Sequence, residues 1–410
     1  MANQFINTSW VCLEILRILI NELECAEYFN RDYEKEFNKE FAPGSNVTIK
    51  FPWRPTVTQG MGYDPQGIAR ISTTISLDEW LQIAFEWDDY EKAVKLERSE
   101  KELRENYWQP CAKAFAQEID SLCADFASTN ASNVVGSLGT DPTSVSTYFG
   151  ARKILKQQSC PPGKRCMLIS SSMMASLGAN ITSIFHPDDE ITQNFKEGSI
   201  GRLAGFSFFE SNSLYEQTAG TWAATVTVTG ANQSGTALII TGTNGDTINA
   251  RDKFSVANVN AVNPQTRRSA GPLTPKSFTV VQNYTLDGNP DTISILPPIY
   301  GPGSPYQNVD ALPSNGAALT LWPGTASPNG KTGTIGLALS RFGFGLVGGK
   351  LYLPKAVEDS GQQMDPDSGI ALRKVEAWDP VRSVNVKRMD SLLGLGNLYQ
   401  DNGACVVAGA

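Results

Sequence analysis

His186 is the one histidine of the chain and the first residue to consider for catalysis or metal binding. Asp188, Asp189 and Glu190 follow it closely, and imidazole with carboxylate oxygens is a common ligand set for zinc. A histidine-activated nucleophile would need a serine or cysteine partner, and the sequence has no nucleophile elbow to supply one. We interpret this segment as the polar start of a helix that follows Pro187.

Two glycine-containing motifs match the letters of a known site without its context. Gly343-Phe-Gly345-Leu-Val-Gly348 fits the dinucleotide-binding fingerprint, but the strand-like residues after it end in Pro354 instead of opening a helix. Asp365-Pro-Asp367-Ser-Gly369 fits the first half of a calcium loop and lacks the later ligands and the closing glutamate. We expect a glycine-rich bend in packed backbone at the first motif and a surface turn at the second.

The seven cysteines are odd in number and contain no CxxC pair, which predicts reduced thiols in a chain that folds in a cytosol. Cys160 and Cys166 flank a Pro-Pro-Gly turn, but no second pair is spaced to complete a metal site. Neither a Walker loop nor a zincin helix occurs. The sequence therefore predicts no catalytic constellation, no cofactor and no metal, and we expect a protein that is not an enzyme.

Composition indicates an ordinary globular chain of two or three domains, with 410 residues, 41% hydrophobic and 19% charged. The net charge of −8 and the lack of a long Lys/Arg run argue against strong direct binding to nucleic acid. The apolar stretch from Trp10 to Ile20 is interrupted by Glu14 and Arg17, so we expect neither a signal peptide nor a membrane span.

Hydrophobic periodicity changes along the first third of the chain. Residues 1–44 open with an apolar stripe at helical spacing and then turn polar, which predicts an amphipathic arm rather than part of a compact core. Residues 45–90 carry three alternating runs and a Pro/Gly-rich connection at 52–67, which predicts an extended β arm. Ser99 with Glu102 forms a capping box, and Pro110 suits the first turn of a longer helix of about 18 residues.

The composition shifts at Thr221. From Trp222 to Thr325 there is no Glu, Met, Cys or His, and Val/Thr-rich runs alternate with Asn-Gly and Asp-Gly turns. This predicts a separate all-β barrel or sandwich inserted into a domain of mixed helices and strands. In that host domain, Ile370 to Trp378 and Val384 to Met389 are predicted to form a strand pair joined at Asp379-Pro380.

Four groups of short sequence segments occur in the same order as in the major capsid (coat) proteins of tailed bacteriophages, which they resemble. The resemblance is to the coat-protein subfamily of short-tailed Salmonella phages, which carries an insertion domain. The segment that opens at Tyr107-Trp-Gln-Pro110 and runs to Asp120 resembles the start of the family's spine helix. The strings that resemble the insertion-domain strands and the closing axial-domain strand are Asp252-Lys-Phe-Ser-Val-Ala-Asn-Val-Asn-Ala-Val-Asn-Pro-Gln-Thr266, Leu296-Pro-Pro-Ile299, Pro305-Tyr-Gln-Asn-Val309, Asn315-Gly-Ala317 and Arg388-Met-Asp-Ser-Leu-Leu-Gly394.

This resemblance implies an α+β fold, the tailed-phage major capsid fold, with an inserted all-β barrel-like domain. Its parts would be an N-arm, an E-loop, a spine helix, and peripheral and axial domains. The segments expected on that scheme are the N-terminal arm (1–44), the E-loop (45–90), the peripheral domain with the spine helix (91–128), the first part of the axial and peripheral domains (129–220), the insertion (221–326) and the second part (327–410).

The resemblance also implies a structural function. Copies of the chain would assemble as hexamers and pentamers into an icosahedral shell that encloses double-stranded phage DNA without sequence-specific binding. A scaffolding protein and the portal would be partners during assembly, a decoration protein is a further candidate partner whose binding the sequence does not decide, and no membrane would be involved. The protein would be made in the bacterial host cytoplasm and reside in the virion capsid.

Apolar side chains on an arm that leaves the body of the subunit need a neighbour to cover them. We expect the arm to lie over an adjacent subunit's spine helix, and a loop of the β module to contact neighbours as well. The residues predicted for these contacts are Val47, Ile49, Phe51, Trp53, Met61, Arg267 and Arg268. Two other classes stay open: another phage structural protein, such as a tail or decoration subunit, and a carbohydrate-binding or hydrolytic protein with a β module.

Overall fold

The computed structural model describes most of the chain, and its residues divide into two compact units. The described residues are 8–31, 46–51, 53–55, 57, 59–62, 65, 67–68, 72–88, 104–161, 163–181, 201–222, 226–269, 274–321, 330–354, 357–399 and 404–408. The first unit comprises residues 1–49, 72–123 and 345–396, and the second comprises residues 50–71, 124–344 and 397–410. The capping box at Ser99 lies outside the described residues.

Helices and strands both contribute heavily to the described residues. The helices are α1 (Thr8–Glu22), α2 (Gln109–Asn130), α3 (Val145–Gln157) and α4 (Ser171–Ile181), with a 3-10 turn at Ala26–Tyr28 and a π-helical turn at Arg104–Trp108. The strands are β1 (Val47–Lys50), β2 (Ser72–Ile75), β3 (Glu79–Asp88), β4 (Asn133–Gly136), β5 (Arg165–Ile169), β6 (Arg202–Leu203), β7 (Phe206–Glu210), β8 (Glu216–Thr218), β9 (Thr227–Val228), β10 (Gly235–Thr241), β11 (Thr247–Ile248), β12 (Lys253–Asn260), β13 (Pro275–Val280), β14 (Tyr284–Thr285), β15 (Asp291–Ile299), β16 (Leu319–Leu321), β17 (Thr332–Ser340), β18 (Phe344–Gly349), β19 (Asp359–Met364), β20 (Ala371–Asp379), β21 (Val384–Asn397) and β22 (Ala404–Ala408). The predicted α+β class is confirmed.

The first unit is built on a five-stranded sheet in which β18, β21, β20 and β19 lie in that order. The predicted strand pair at Asp379-Pro380 is confirmed as the antiparallel β20–β21 hairpin. β3 pairs with β21 along its whole length, from Glu79 opposite Leu393 to Asp88 opposite Val384. The third alternating run of the predicted β arm therefore belongs to this sheet, and the expectation that all of 45–90 extends from the body is wrong for β3. Alternation identifies a strand with one covered face, but it cannot identify the sheet that the strand joins.

The apolar stripe of α1 is covered within the first unit. Val11, Cys12, Ile15 and Leu19 are buried, and the helix packs against β19 and β20. The Cys12 thiol lies 3.7 Å from the Gly361 carbonyl oxygen of β19 and is positioned to donate to it. The expectation that this helix lies outside a compact core is therefore wrong, while residues 1–7 and 32–44 of the predicted arm lie outside the described residues.

The long helix α2 has 22 residues, which at 1.5 Å per residue make it about 33 Å long. Pro110 is its second residue, as the sequence predicts. In the first unit, the Asp120 carboxylate accepts the backbone N–H groups of Glu24 at 2.8 Å and Ala26 at 2.9 Å, and so fixes the chain just after α1. Burial raises the pKa of Asp120, although these N–H donors favour its charged form.

The second unit contains a mixed seven-stranded sheet with the order β4, β22, β17, β5, β7 and β6, to which β8 is added on β17. β22 pairs with β4, and β5 with β7, in parallel. α3 packs on β4 and β22. A cluster of buried residues that includes Tyr148, Leu155, Met167, Leu177 and Phe206 forms the core of this region.

The segment 226–321 of the second unit forms a closed barrel. Six strands lie in the order β16, β12, β13, β15, β10 and β9, and a short pair, β11–β14, sits beside them. The barrel closes because Val228 N donates to the Ala317 carbonyl at 2.9 Å and Leu319 N donates to Val226, which joins β9 to the chain at β16. Closure removes the free edges of a sheet. Its core is a separate hydrophobic cluster that runs from Trp222 to Leu319.

Candidate functional site

The motif residues that suggested chemistry turn out to be structural where the structure describes them. His186 and the acidic residues after it lie outside the described residues. The glycine-rich motif at 343–348 enters β18, which is buried along its length. A Cβ atom at Gly348 would lie 1.9 Å from the Gly369 carbonyl oxygen, so the glycine is needed for close backbone packing. The interpretation as packed backbone is confirmed, although the residues form a strand after a short turn.

The half calcium loop is a turn between β19 and β20. Asp365 Oδ2 accepts the Ser368 N–H at 2.6 Å, and Gly369 adopts a left-handed φ of 69°. The expected surface turn is confirmed. Among the described residues there is no group of three or more His, Cys, Asp or Glu side chains that could hold a metal ion. No helix among all the residues that the structure describes is both long and apolar enough to cross a membrane.

The segment between β1 and β2 exposes apolar side chains. Val57 is 95% exposed, Met61 is fully exposed and Ile68 is 71% exposed. Since monomeric proteins rarely leave several large apolar side chains of one segment in water, this loop is a candidate contact surface. We call the residues 57–68 the apolar loop.

The residues predicted for subunit contacts before the apolar loop are covered to different degrees. Ile49 is buried, and Phe51 and Trp53 are partly buried. The Phe51 ring packs against Tyr399 with 5.0 Å between ring centroids. Val47 lies in β1, and its side chain is outside the description. Among the arm residues whose side chains the structure describes, Met61 therefore offers the most free apolar surface.

Cation–π contacts and hydrogen bonds hold Arg54, just before the apolar loop, to other residues of the second unit. The Arg54 guanidinium lies 5.8 Å from the Tyr306 ring centroid and 6.0 Å from that of Tyr399. Arg267 Nη2 donates to the carbonyl oxygens of Arg54 at 3.3 Å and Pro305 at 3.1 Å. Arg267, predicted as a subunit contact, is thus occupied inside the chain in this structure.

The turn that carries Arg267 is rigidly built. Asn263 Oδ1 accepts the backbone N–H groups of Gln265 at 2.9 Å and Thr266 at 3.1 Å, which forms an Asx turn. Arg267 has a left-handed φ of 53°, and its N–H donates to the Asn263 carbonyl. Arg268, the other predicted contact residue of this loop, is exposed.

Sequence reasoning missed the buried Asp390 of β21. It accepts Trp80 Nε1 at 3.1 Å, Arg373 Nε at 3.1 Å and Arg388 Nε at 2.6 Å, and both guanidinium groups lie within 6 Å of the Trp80 ring. Burial alone would raise the pKa of Asp390, but these donors outweigh it and hold the pKa below its usual value. The network ties β3, β20 and β21 together. Because Trp80 lies 310 positions from Asp390, spacing along the sequence could not have identified the whole network.

Comparisons with known proteins bear on the family and the fold. A family model described as "P22 coat protein - gene protein 5" matches residues 38–330. A search of curated protein sequences finds no match. A solved chain from Mycobacterium phage Che8 is 14% identical, with a TM-score of 0.50 over 100% of this chain and 95% of that chain. A chain from the capsid structure of the cyanophage P-SCSP1u is 12% identical, with a TM-score of 0.43 over 100% and 90%. The family match and the Che8 likeness confirm the predicted fold.

Proposed function

The chain belongs to the P22 coat protein family, and we infer from this membership and from the exposed apolar loop how its copies are joined. It is a major capsid protein, a structural subunit that assembles with copies of itself into the shell of a phage virion. The apolar loop is the observation that supports the finer proposals, because each copy has apolar side chains left for another copy to cover.

We propose that the copies form hexamers and pentamers of an icosahedral shell around double-stranded DNA. A net charge of −8 suits a shell that encloses DNA without gripping its phosphates. Further parts of the proposal are a scaffolding protein and a portal during assembly, a decoration protein on the shell, synthesis in the host cytoplasm and no enzymatic activity. They are supported by the family membership.

The contact surface of the proposal centres on Met61, with Val57 and Ile68 beside it in the apolar loop. Covering one large apolar side chain contributes about 1.5–3 kcal/mol, and symmetry repeats that contribution around the shell. Arg268 is exposed and can serve a second contact. Arg267 would first have to leave its two carbonyl partners, so we propose it as an internal support of the segment's start.

The test is Met61→Asp in the full chain, co-expressed with its scaffolding protein, with Gln59→Asp as the matched control. Both residues are exposed in the same loop and both variants add one charge, but only the first removes apolar surface. We expect Met61→Asp to yield soluble subunits whose free energy of unfolding lies within about 0.5 kcal/mol of the parent's. These subunits should nevertheless form few closed shells in negative-stain images. Gln59→Asp should form shells normally. Normal shells from Met61→Asp would contradict the proposed contact.

A further inference from the structure

Three consecutive charged residues, Arg251, Asp252 and Lys253, stand at the start of barrel strand β12, and their side chains go to three different places. Arg251 reaches the last turns of α2, where Nη2 lies 2.6 Å from Asp125 Oδ1 and Nε donates to Thr129 Oγ1 at 2.7 Å. Its guanidinium also stacks 3.8 Å from the centroid of the Tyr215 ring. These contacts are all to residues outside the barrel.

Lys253 is completely buried, and its ammonium group meets the C-terminal end of the same helix. It donates to the Ser128 carbonyl at 2.9 Å, to the Ala131 carbonyl and to Thr279 Oγ1 at 2.8 Å. An ammonium has three donors, and these three oxygens use all of them. The end of a helix leaves carbonyl oxygens unpaired and carries partial negative charge, so a cation there is well placed.

Asp252 turns the other way and holds the chain where it enters the barrel. Its carboxylate accepts the Gly220 N–H at 3.0 Å, the Asn249 N–H at 2.9 Å and Gln217 Nε2 at 3.1 Å. A Cβ at Gly220 would lie 2.2 Å from the Thr247 carbonyl oxygen, so this linker presses directly on the barrel backbone.

The chain that leaves the barrel runs beside the chain that enters it. Ala219 N donates to the Lys331 carbonyl at 3.0 Å, and the hydroxyls of Thr218 and Thr332 are 2.9 Å apart. By fixing Gly220, Asp252 therefore holds both linkers, at 217–222 and 330–332, through one carboxylate.

We propose that Arg251, Asp252 and Lys253 form a docking clamp that fixes the inserted barrel to the C-terminal end of α2 and to its own two linkers. The barrel core is apolar and contains none of these charges, so the main effect that we assign to the clamp is to orient the barrel. In a shell subunit such a clamp makes the barrel and the end of the long helix move as one body.

Native-state hydrogen–deuterium exchange on the purified full-length subunit tests this, with Lys253→Met as the main variant. Methionine keeps an apolar stem and loses the ammonium, which leaves the Ser128 and Ala131 carbonyls without this donor. We expect exchange in the peptides over 128–133 and 217–222 to rise at least about tenfold, while β15 changes less than about twofold. Ile295→Ala, inside the barrel core, is the matched control and should raise exchange in β15 instead.

Exchange that rises equally in the linkers and in β15 of Lys253→Met would overturn the clamp, since that pattern means general loosening of the barrel. Unchanged exchange at 128–133 would also overturn it. If Lys253→Met does not fold, Arg251→Met decides the matter, because that side chain lies near the surface. Arg251→Met should raise exchange only in the peptides over 128–133 and 213–220. A rise in exchange throughout the barrel of this variant would count against the proposal.

Discussion

The barrel at 226–321 and the apolar loop at 57–68 are both inserted between strands of other sheets. They differ in whether their apolar side chains are buried. In the barrel, Phe254, Ile295 and their neighbours are buried by strands of the same segment. In the apolar loop, Val57 and Met61 stand almost wholly in water. The barrel completes its own core, whereas the loop has surface left for another molecule.

The difference follows from the local sequence. Barrel strands alternate apolar and polar residues, as in the Asp291–Ile299 strand, and tight turns return the chain antiparallel. In the apolar loop, polar residues, three glycines and one proline separate Val57, Met61 and Ile68, so these apolar residues do not alternate along one face. An inserted segment can therefore contribute either to subunit stability or to subunit association, according to whether its apolar residues share one face.

The largest effect that would break this comparison is expected in the barrel core, from Phe254→Ala. The ring is buried, with centroids 6.2 Å from Trp222 and 5.8 Å from Phe278. Its removal leaves a cavity and should lower the free energy of unfolding by about 3–5 kcal/mol in urea denaturation. Ile239→Ala, on the outward face of the same barrel, is the control and should cost less than about 1 kcal/mol. Equal losses would mean that the barrel core is not self-contained.

A pH-dependent effect of intermediate size is expected where the barrel is attached. Burial raises the pKa of Asp252 to about 6, more than its N–H donors and Lys253 can lower it. The folded chain thus binds this proton more tightly than the unfolded chain does. The resulting stability is fully present below the ordinary value near 4 and is lost as the pH rises through about 6.

Asp252→Asn should remove that dependence. Between pH 5 and pH 7.5 the parent should lose about 1–1.5 kcal/mol relative to the variant, measured as the change in unfolding free energy from urea curves at both pH values. If the unfolding free energies of the parent and the variant changed with pH in parallel, Asp252 would titrate like an exposed aspartate. The attachment of the barrel would then show no effect of burial on this carboxylate.

The smallest effect is expected at the start of the loop-bearing segment, from Arg267→Ala and Arg267→Gly. Both lose the donor to the Arg54 and Pro305 carbonyls, at a cost of about 1 kcal/mol. Glycine should recover about 0.5–1 kcal/mol of it, because the φ of 53° strains any residue with a Cβ. Thermal unfolding with both variants tests the order, and an alanine variant as stable as the glycine variant would argue against strain at this turn.

Much of the fold could be predicted from local patterns. The helix after Trp108, the hairpin at Asp379-Pro380 and the change of composition at Thr221 each correspond to an element that the structure contains. Met61 was predicted as a subunit contact on an arm that leaves the body, and that contact stays a prediction. These signals are local, because periodicity and turn chemistry operate within about ten residues.

Long-range partners could not be predicted in the same way. The apolar stripe of α1 predicts that another element covers it, but only the folded structure shows that this element is the β19–β20 pair. Arg251, Asp252 and Lys253 are adjacent in the sequence, yet the structure places their side chains against three different sets of partners, up to 126 positions away. The sequence by itself determined where helices and strands alternate and where an all-β module begins. Tertiary structure decided which faces meet and which charges are buried together, because burial and pairing depend on distances in space that no spacing along the chain encodes.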